Sequence, residues 1–226
     1  MLAAAVVGSG ALLRRRYLRW GATDIDLELP LPGDHLLPCN GSMTAGLTTT
    51  RAITIAAAAT DVWPWIAQLG QNRGGFYSYD RLENLVGCDI HSVDRIHSEW
   101  QHVSLGSPVN LAPGLALTVA LIEPGTALVL RGAIPIGASA APYDFTWAFV
   151  IRPVSNGTSR LLVRERYQYL SPWAPLIVQP AELVSCLMSP RMLRGIRERA
   201  ERTPSHLSLD LRGRVASTTG SLSMQH

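Results

Sequence analysis

TDVWPWIAQLGQNRGGFYSYDRLENLVGCDIHSVDRIHSEW, Thr60 to Trp100, gathers Trp63, Trp65, Phe76, Tyr77, Tyr79 and Trp100 in a chain that is only 7% aromatic. Large rings concentrated in this way either fill a core or line a cavity for an apolar ligand. Thr60 stands where an N-cap would, Asp61 supplies first-turn negative charge, and Val62, Trp65, Ile66 and Leu69 recur at helical spacing up to Gly70. Pro64 is tolerable in a first turn. Gln71 to Gly75 then reads as a loop, and Tyr79 to Val86 as a second short helix closed by Gly87.

Upstream of this stretch, Arg51 to Ala56 (RAITIA) is expected to form a strand with Ile53 and Ile55 on one face. Downstream come only strand-like runs, around Ser107 to Leu111, Leu115 to Glu123, Ala127 to Gly132, Tyr143 to Pro153 and Thr158 to Tyr169. The Asn156-Gly157 pair between the last two is the clearest hairpin signal. Alternation puts Phe145, Trp147, Phe149 and Ile151 on one face, and Leu161, Val163, Glu165, Tyr167 and Tyr169 on another. Glu165 is the odd member of an apolar face, either paired with an arginine or serving as a polar anchor inside a cavity. Trp173 to Pro180 leads into a long helix, Ala181 to Arg202, with Leu183, Leu187, Met188, Met192 and Ile196 as its apolar stripe and a kink expected at Pro190.

At 226 residues and 47% hydrophobic, the chain has room for one domain with a substantial core. Its basic residues are all arginine, and a formal charge of +3 is too small to indicate nucleic acid. Cys39, Cys88 and Cys186 are scattered, which suggests neither a disulfide framework nor a zinc site and fits a reducing compartment. Residues 1–20 form an N-terminal segment in which the apolar run Met1 to Leu13 precedes Arg14, Arg15 and Arg16. Such a run spans roughly 20 Å as a helix against the ~30 Å of a bilayer core, so it reads as an interfacial or cut-down anchor or as an Ala-rich start that packs or frays. An anchor would hold the following domain on the cytoplasmic side. Residues 21–48 are expected to be a linker or arm without chemistry, and 203–226 a disordered tail.

In VWPWIAQLGQNRGGFYSYDRLENLVG (Val62 to Gly87), HSVDRIHSEWQ (His91 to Gln101), TWAF (Thr146 to Phe149) and RMLRGIRERAE (Arg191 to Glu201), the chain resembles the START-like, Bet v 1-like superfamily. More narrowly it resembles the bacterial SRPBCC, or polyketide cyclase/dehydrase-like, group. The resemblance spans the expected domain, 49–202. It implies an α+β helix-grip fold: a curved antiparallel sheet around a long C-terminal helix, two short helices between the first two strands, and an apolar cavity within. Ligands and reactions vary across such a superfamily, so the architecture alone implies no single activity.

Trp65, Tyr77, Tyr79, Trp147, Glu165, Tyr167 and Met192 are the expected cavity lining. A lipid, isoprenoid or polyketide-like ligand is expected there, bound by a carrier or sensor. The rival readings are a cyclase or dehydratase, and a protein-interaction domain without a cavity. A cyclase needs a general base and a donor to the developing enolate, for which Asp80, His91 or Glu165 with a tyrosine are candidates, and Glu83 and Asn84 lie nearby. The Gly70 to Gly75 loop with Arg73 lacks phosphate-loop spacing, and Cys88 to Glu99 lacks the spacing of a metal site. No cofactor or metal is expected, a membrane surface is an open partner, and the oligomeric state is not legible.

Overall fold

Six strands form one antiparallel sheet in the order β1-β6-β5-β4-β3-β2. They are β1 (Gly46–Ile55), β2 (Pro108–Ala112), β3 (Leu115–Glu123), β4 (Ala127–Gly132), β5 (Tyr143–Ser155) and β6 (Thr158–Tyr169). The computed structural model describes residues 16–37, 46–133, 140–155 and 157–202. Between β1 and β2 lie the short helices α2 (Ala59–Ala67) and α3 (Asp80–Leu85), and α4 (Pro175–Arg202) closes the fold. This is the helix-grip arrangement. Register shifts at Asn110/Ala112, Val119/Leu121 and Pro153/Ser155 are irregularities of the kind that bend strands and increase twist.

Strand periodicity carries over to the core. Phe149, Ile151, Leu161 and Val163 lie at or below 2% exposure on the inner face, joined by Val62, Ile66 and Leu193 from the helices. Ser155 pairs with Thr158 where β5 gives way to β6, and Gly157 holds φ 72°. Asn156 itself lies outside the described residues.

Several local expectations are corrected. β1 begins at Gly46, because residues 46–50 continue the pairing with β6 that Arg51 to Ile55 make. The N-cap of α2 is Ala58, without a side-chain cap, so Pro64 falls at the sixth helical residue and removes one backbone hydrogen bond. α4 begins at Pro175, ahead of the expected Ala181, and holds Pro180 and Pro190 inside it. Its expected stripe is only half buried: Met192 and Ile196 face the core, whereas Leu183 and Leu187 are 69% and 55% exposed. The inward row at that end of α4 is Glu182, Ser185 and Ser189, for a reason that lies in the site beneath it.

The stretch expected as a linker is packed across the outer face of the sheet. Leu29 and Leu31 cover Ala52, Ala127, Val150 and Leu162 there. Thr23 and Asp26 form a capping box that starts the short helix α1 (Asp24–Glu28). Arg160 donates to Asp26 at 2.6 Å, and Arg164 donates to Asp34 at 2.6 Å and to the carbonyls of Asp26, Leu27 and Leu29. Burial raises the Asp26 pKa, but the bonds from Arg160 and Thr23 outweigh it and hold the carboxyl below its usual range. Residues 38–45 lie outside the described residues, as do the apolar run 1–13 and the tail 203–226. Of the arginine-rich start, Arg19 pairs with Asp24, and Arg194 stacks over Trp20 at 4.9 Å.

Candidate functional site

A cavity of about 240 Å³ lies between the inner face of the sheet and the first half of α4. Phe145, Trp147 and Tyr167 form its sheet wall, and Met188 and Met192 its helix wall. Phe76, Ser78 and Glu83 close it from the side of α3. The rings lean on one another: Phe145 and Tyr167 are 4.5 Å apart between centroids, Trp147 and Phe149 4.9 Å.

Beneath the apolar walls lies a buried polar cluster built from β1, β6 and α4. The Glu165 carboxylate, 2% exposed, meets the fully buried Arg51 guanidinium at 2.9 Å. Register explains the meeting: Arg51 lies opposite Val163 on β6, and Glu165 is the next inward residue along that strand. Oε1 of Glu165 also accepts from Ser185 at 2.6 Å and Ser189 at 3.1 Å, hydroxyls four residues apart on α4. Arg51 further donates to Thr49 and Ser185, with Cys186 at 3.6 Å. The first half of α4 therefore turns its small polar residues inward to satisfy a buried ion pair, which forces Leu183 and Leu187 outward.

Three polar atoms at the cavity have no hydrogen-bond partner among the described residues: Glu165 Oε2, Trp147 Nε1 and Glu83 Oε2. Burial, and then the Asp80 charge, push the Glu83 carboxyl up to about 7. Burial also raises the Tyr167 hydroxyl, with Glu165 adding to it, so that phenol stays protonated. Burial and the bond to Glu182 push the Cys186 thiol up to about 11, which keeps it a thiol.

The Glu83 shift has a definite sign in stability. The folded chain holds that proton more tightly than the unfolded one, so stability falls as pH rises from about 4.5 to about 7. Urea midpoints measured across that window are expected to decline in the wild type and to flatten in Glu83→Gln.

Of the residues expected to line the cavity, Trp147, Glu165, Tyr167 and Met192 do so. Trp65 and Tyr77 lie elsewhere, packed edge to face at 5.8 Å in the core around α2, where the Tyr77 hydroxyl accepts from Gln68 and donates to the Trp65 carbonyl. Tyr79 is 37% exposed in the turn before α3. Among the catalytic candidates Glu165 and Glu83 reach the cavity. Asp80 accepts from the Ser92 amide and hydroxyl, both at 2.7 Å, and thereby ties the loop to α3. His91 is a surface residue beside Asp89, because its loop turns it away from the sheet. Arg73 donates to the carbonyls of Ala67 and Trp100, and His97 stacks on Trp100 at 4.2 Å. Among the described residues no group of three or more His, Cys, Asp or Glu side chains is placed to hold a metal ion.

Arg51, Ser185 and Ser189 are the site residues that sequence reasoning missed. The signal for Arg51 was its parity with Ile53 and Ile55, and for the serines their spacing of four within a helix.

A scan against models of known families finds no match to this chain, and a search of curated proteins finds none either. Among solved structures, it is similar to truncated norcoclaurine synthase from Thalictrum flavum: 15% identity over 73% of this chain and 99% of that one, TM-score 0.45. A protein from Mesorhizobium loti is similar at 14% identity, over 70% of this chain and 98% of that one, with a TM-score of 0.42. A Polyketide_cyc-like protein from Corynebacterium glutamicum is similar at 14% identity, over 80% and 99%, with a TM-score of 0.37.

Proposed function

From a chain with the helix-grip fold of the START-like, Bet v 1-like superfamily, we propose the binding of a compact apolar molecule, a lipid, isoprenoid or polyketide-like compound, in the cavity between sheet and final helix. The chain acts as a carrier or sensor and leaves its ligand unchanged. The observation behind this reading is the void itself, about 240 Å³ and walled mainly by Phe145, Trp147, Tyr167, Met188 and Met192. That volume is below the ~300–1,000 Å³ of sites for drug-sized ligands, so the ligand is small or only part of it enters.

Native mass spectrometry of the protein from its own host, with identification of any extracted molecule, tests the proposal. Protein stripped of ligand is expected to bind a hydrophobic dye that any retained compound displaces. Ala181→Phe projects a ring into the cavity from α4 and is expected to abolish dye binding while leaving the fold intact. An empty protein that binds no dye would refute the proposal.

One observation favours a second reading, a cyclase or dehydratase. A carboxyl tuned to about 7 on the cavity wall, Glu83, is suited to act as a general base near neutral pH. Recovery of a chemically altered ligand after incubation, lost in Glu83→Gln with binding retained, would favour the enzyme.

The carrier reading also places the domain at a cytoplasmic membrane face. Exposed Leu82, Leu85 and Val86 on and just after α3 and Leu176, Leu183 and Leu187 on α4, the helices that border the cavity, support it together with the apolar run before Arg14. No helix of the described residues is long and apolar enough to cross a membrane.

A further inference from the structure

We infer that the cavity selects a ligand whose head is a neutral hydroxyl, seated between Glu165 Oε2 and Trp147 Nε1; this rests on the ligand-binding reading above. Trp147 and Glu165 are direct partners across the β5 and β6 register, so their side chains rise side by side from the inner face, and both line the cavity. One offers a buried N–H and the other a buried carboxylate oxygen, each without a partner among the described residues. An alcohol O–H donates to the oxygen and accepts from the N–H, and satisfies both.

Other heads fail on one count each. A hydrocarbon satisfies neither atom. A carboxylate has no proton to give and brings a second negative charge beside Glu165. An ammonium has no lone pair for the indole N–H, and the attraction it would gain from Glu165 is already countered by Arg51 at 2.9 Å. The other oxygen of Glu165 is occupied by Arg51, Ser185 and Ser189, which fixes the carboxylate and leaves Oε2 as the oxygen without a partner among the described residues. A buried polar group left unpaired is costly, so the difference between a head that pairs and one that does not is large for one functional group.

Four probes on one scaffold test this by calorimetry with the full chain stripped of ligand: 3-phenylpropan-1-ol, propylbenzene, 3-phenylpropanoate and 3-phenylpropan-1-amine. The alcohol is expected to bind about tenfold or more tighter than propylbenzene, and tighter than either ion. Trp147→Phe removes the N–H and leaves the Arg51 pair untouched, and it is expected to narrow the gap between alcohol and hydrocarbon to about threefold. Glu165→Gln, if folded, narrows it as well, but the wild-type series alone decides. Equal affinities for alcohol and hydrocarbon would mean that water serves the two atoms and would overturn the inference while the cavity reading stands, as would tighter binding of either ion. If no probe binds, the cavity reading itself falls.

Discussion

Replacing Arg51 with methionine is expected to lower the unfolding free energy by about 3–5 kcal/mol, read as a fall in the urea midpoint with an unchanged slope. Methionine fills much of the space, so the loss comes from charge rather than volume. It leaves the Glu165 carboxylate, 2% exposed, with only the Ser185 and Ser189 hydroxyls in place of a guanidinium. The double variant Arg51→Met/Glu165→Leu removes both charges and is expected to recover most of the deficit, because the desolvation cost of the pair disappears with it. Recovery only in the double variant identifies the ion pair as the source. A single variant as stable as the wild type would show that the pair does not hold β1, β6 and α4 together.

Gly195→Ala is expected to cost about 2 kcal/mol, a fall of about 4–8 °C in Tm, although alanine is the better helix former by about 1 kcal/mol. A Cβ at position 195 would lie 2.7 Å from the Tyr77 Cβ and against the Tyr77 carbonyl. Tyr77 has little room to retreat: it is 1% exposed, it holds φ 57°, its hydroxyl is bonded to Gln68 and Trp65, and Arg199 stacks on its ring at 4.7 Å. Overpacking against backbone lies at the upper end of the ~1–3 kcal/mol seen when a full core receives an extra carbon, which outweighs the gain in propensity. A stabilised Gly195→Ala would show that α4 and the Tyr77 turn part easily.

The strands were legible because period-two alternation is strong where one face is buried. Phe145, Trp147, Phe149 and Ile151 announced the inner face of β5, and the Asn156-Gly157 signal in the sequence falls between the paired residues Ser155 and Thr158. The outer arm was less legible, since no periodicity marks residues 21–37. A sign of it stood in β5 all the same: Ala148 and Val150 on the opposite face are too apolar to meet water, and a sheet greasy on both faces needs cover on both. Trp65 and Tyr77 belong to the ring-rich stretch from Thr60 to Trp100, but nearness in sequence does not bring them to the cavity beside Trp147. Both sit instead where α2 meets the loop before α3. The stripe of α4 misled because a helix over a buried ion pair turns serines inward and leucines out, an inversion that depends on a contact with Arg51, more than 130 residues away.

β1 and β6 form a party wall. On its inner side Glu165 lines the cavity and Arg51 pairs with it; on its outer side Thr50 accepts from Arg164, which in turn reaches Asp34 of the arm. Thr50 and Arg51 are successive residues, and so are Arg164 and Glu165. The shortest covalent route from the cavity side to the buttress on the far face is therefore a single peptide bond, present twice in adjoining strands.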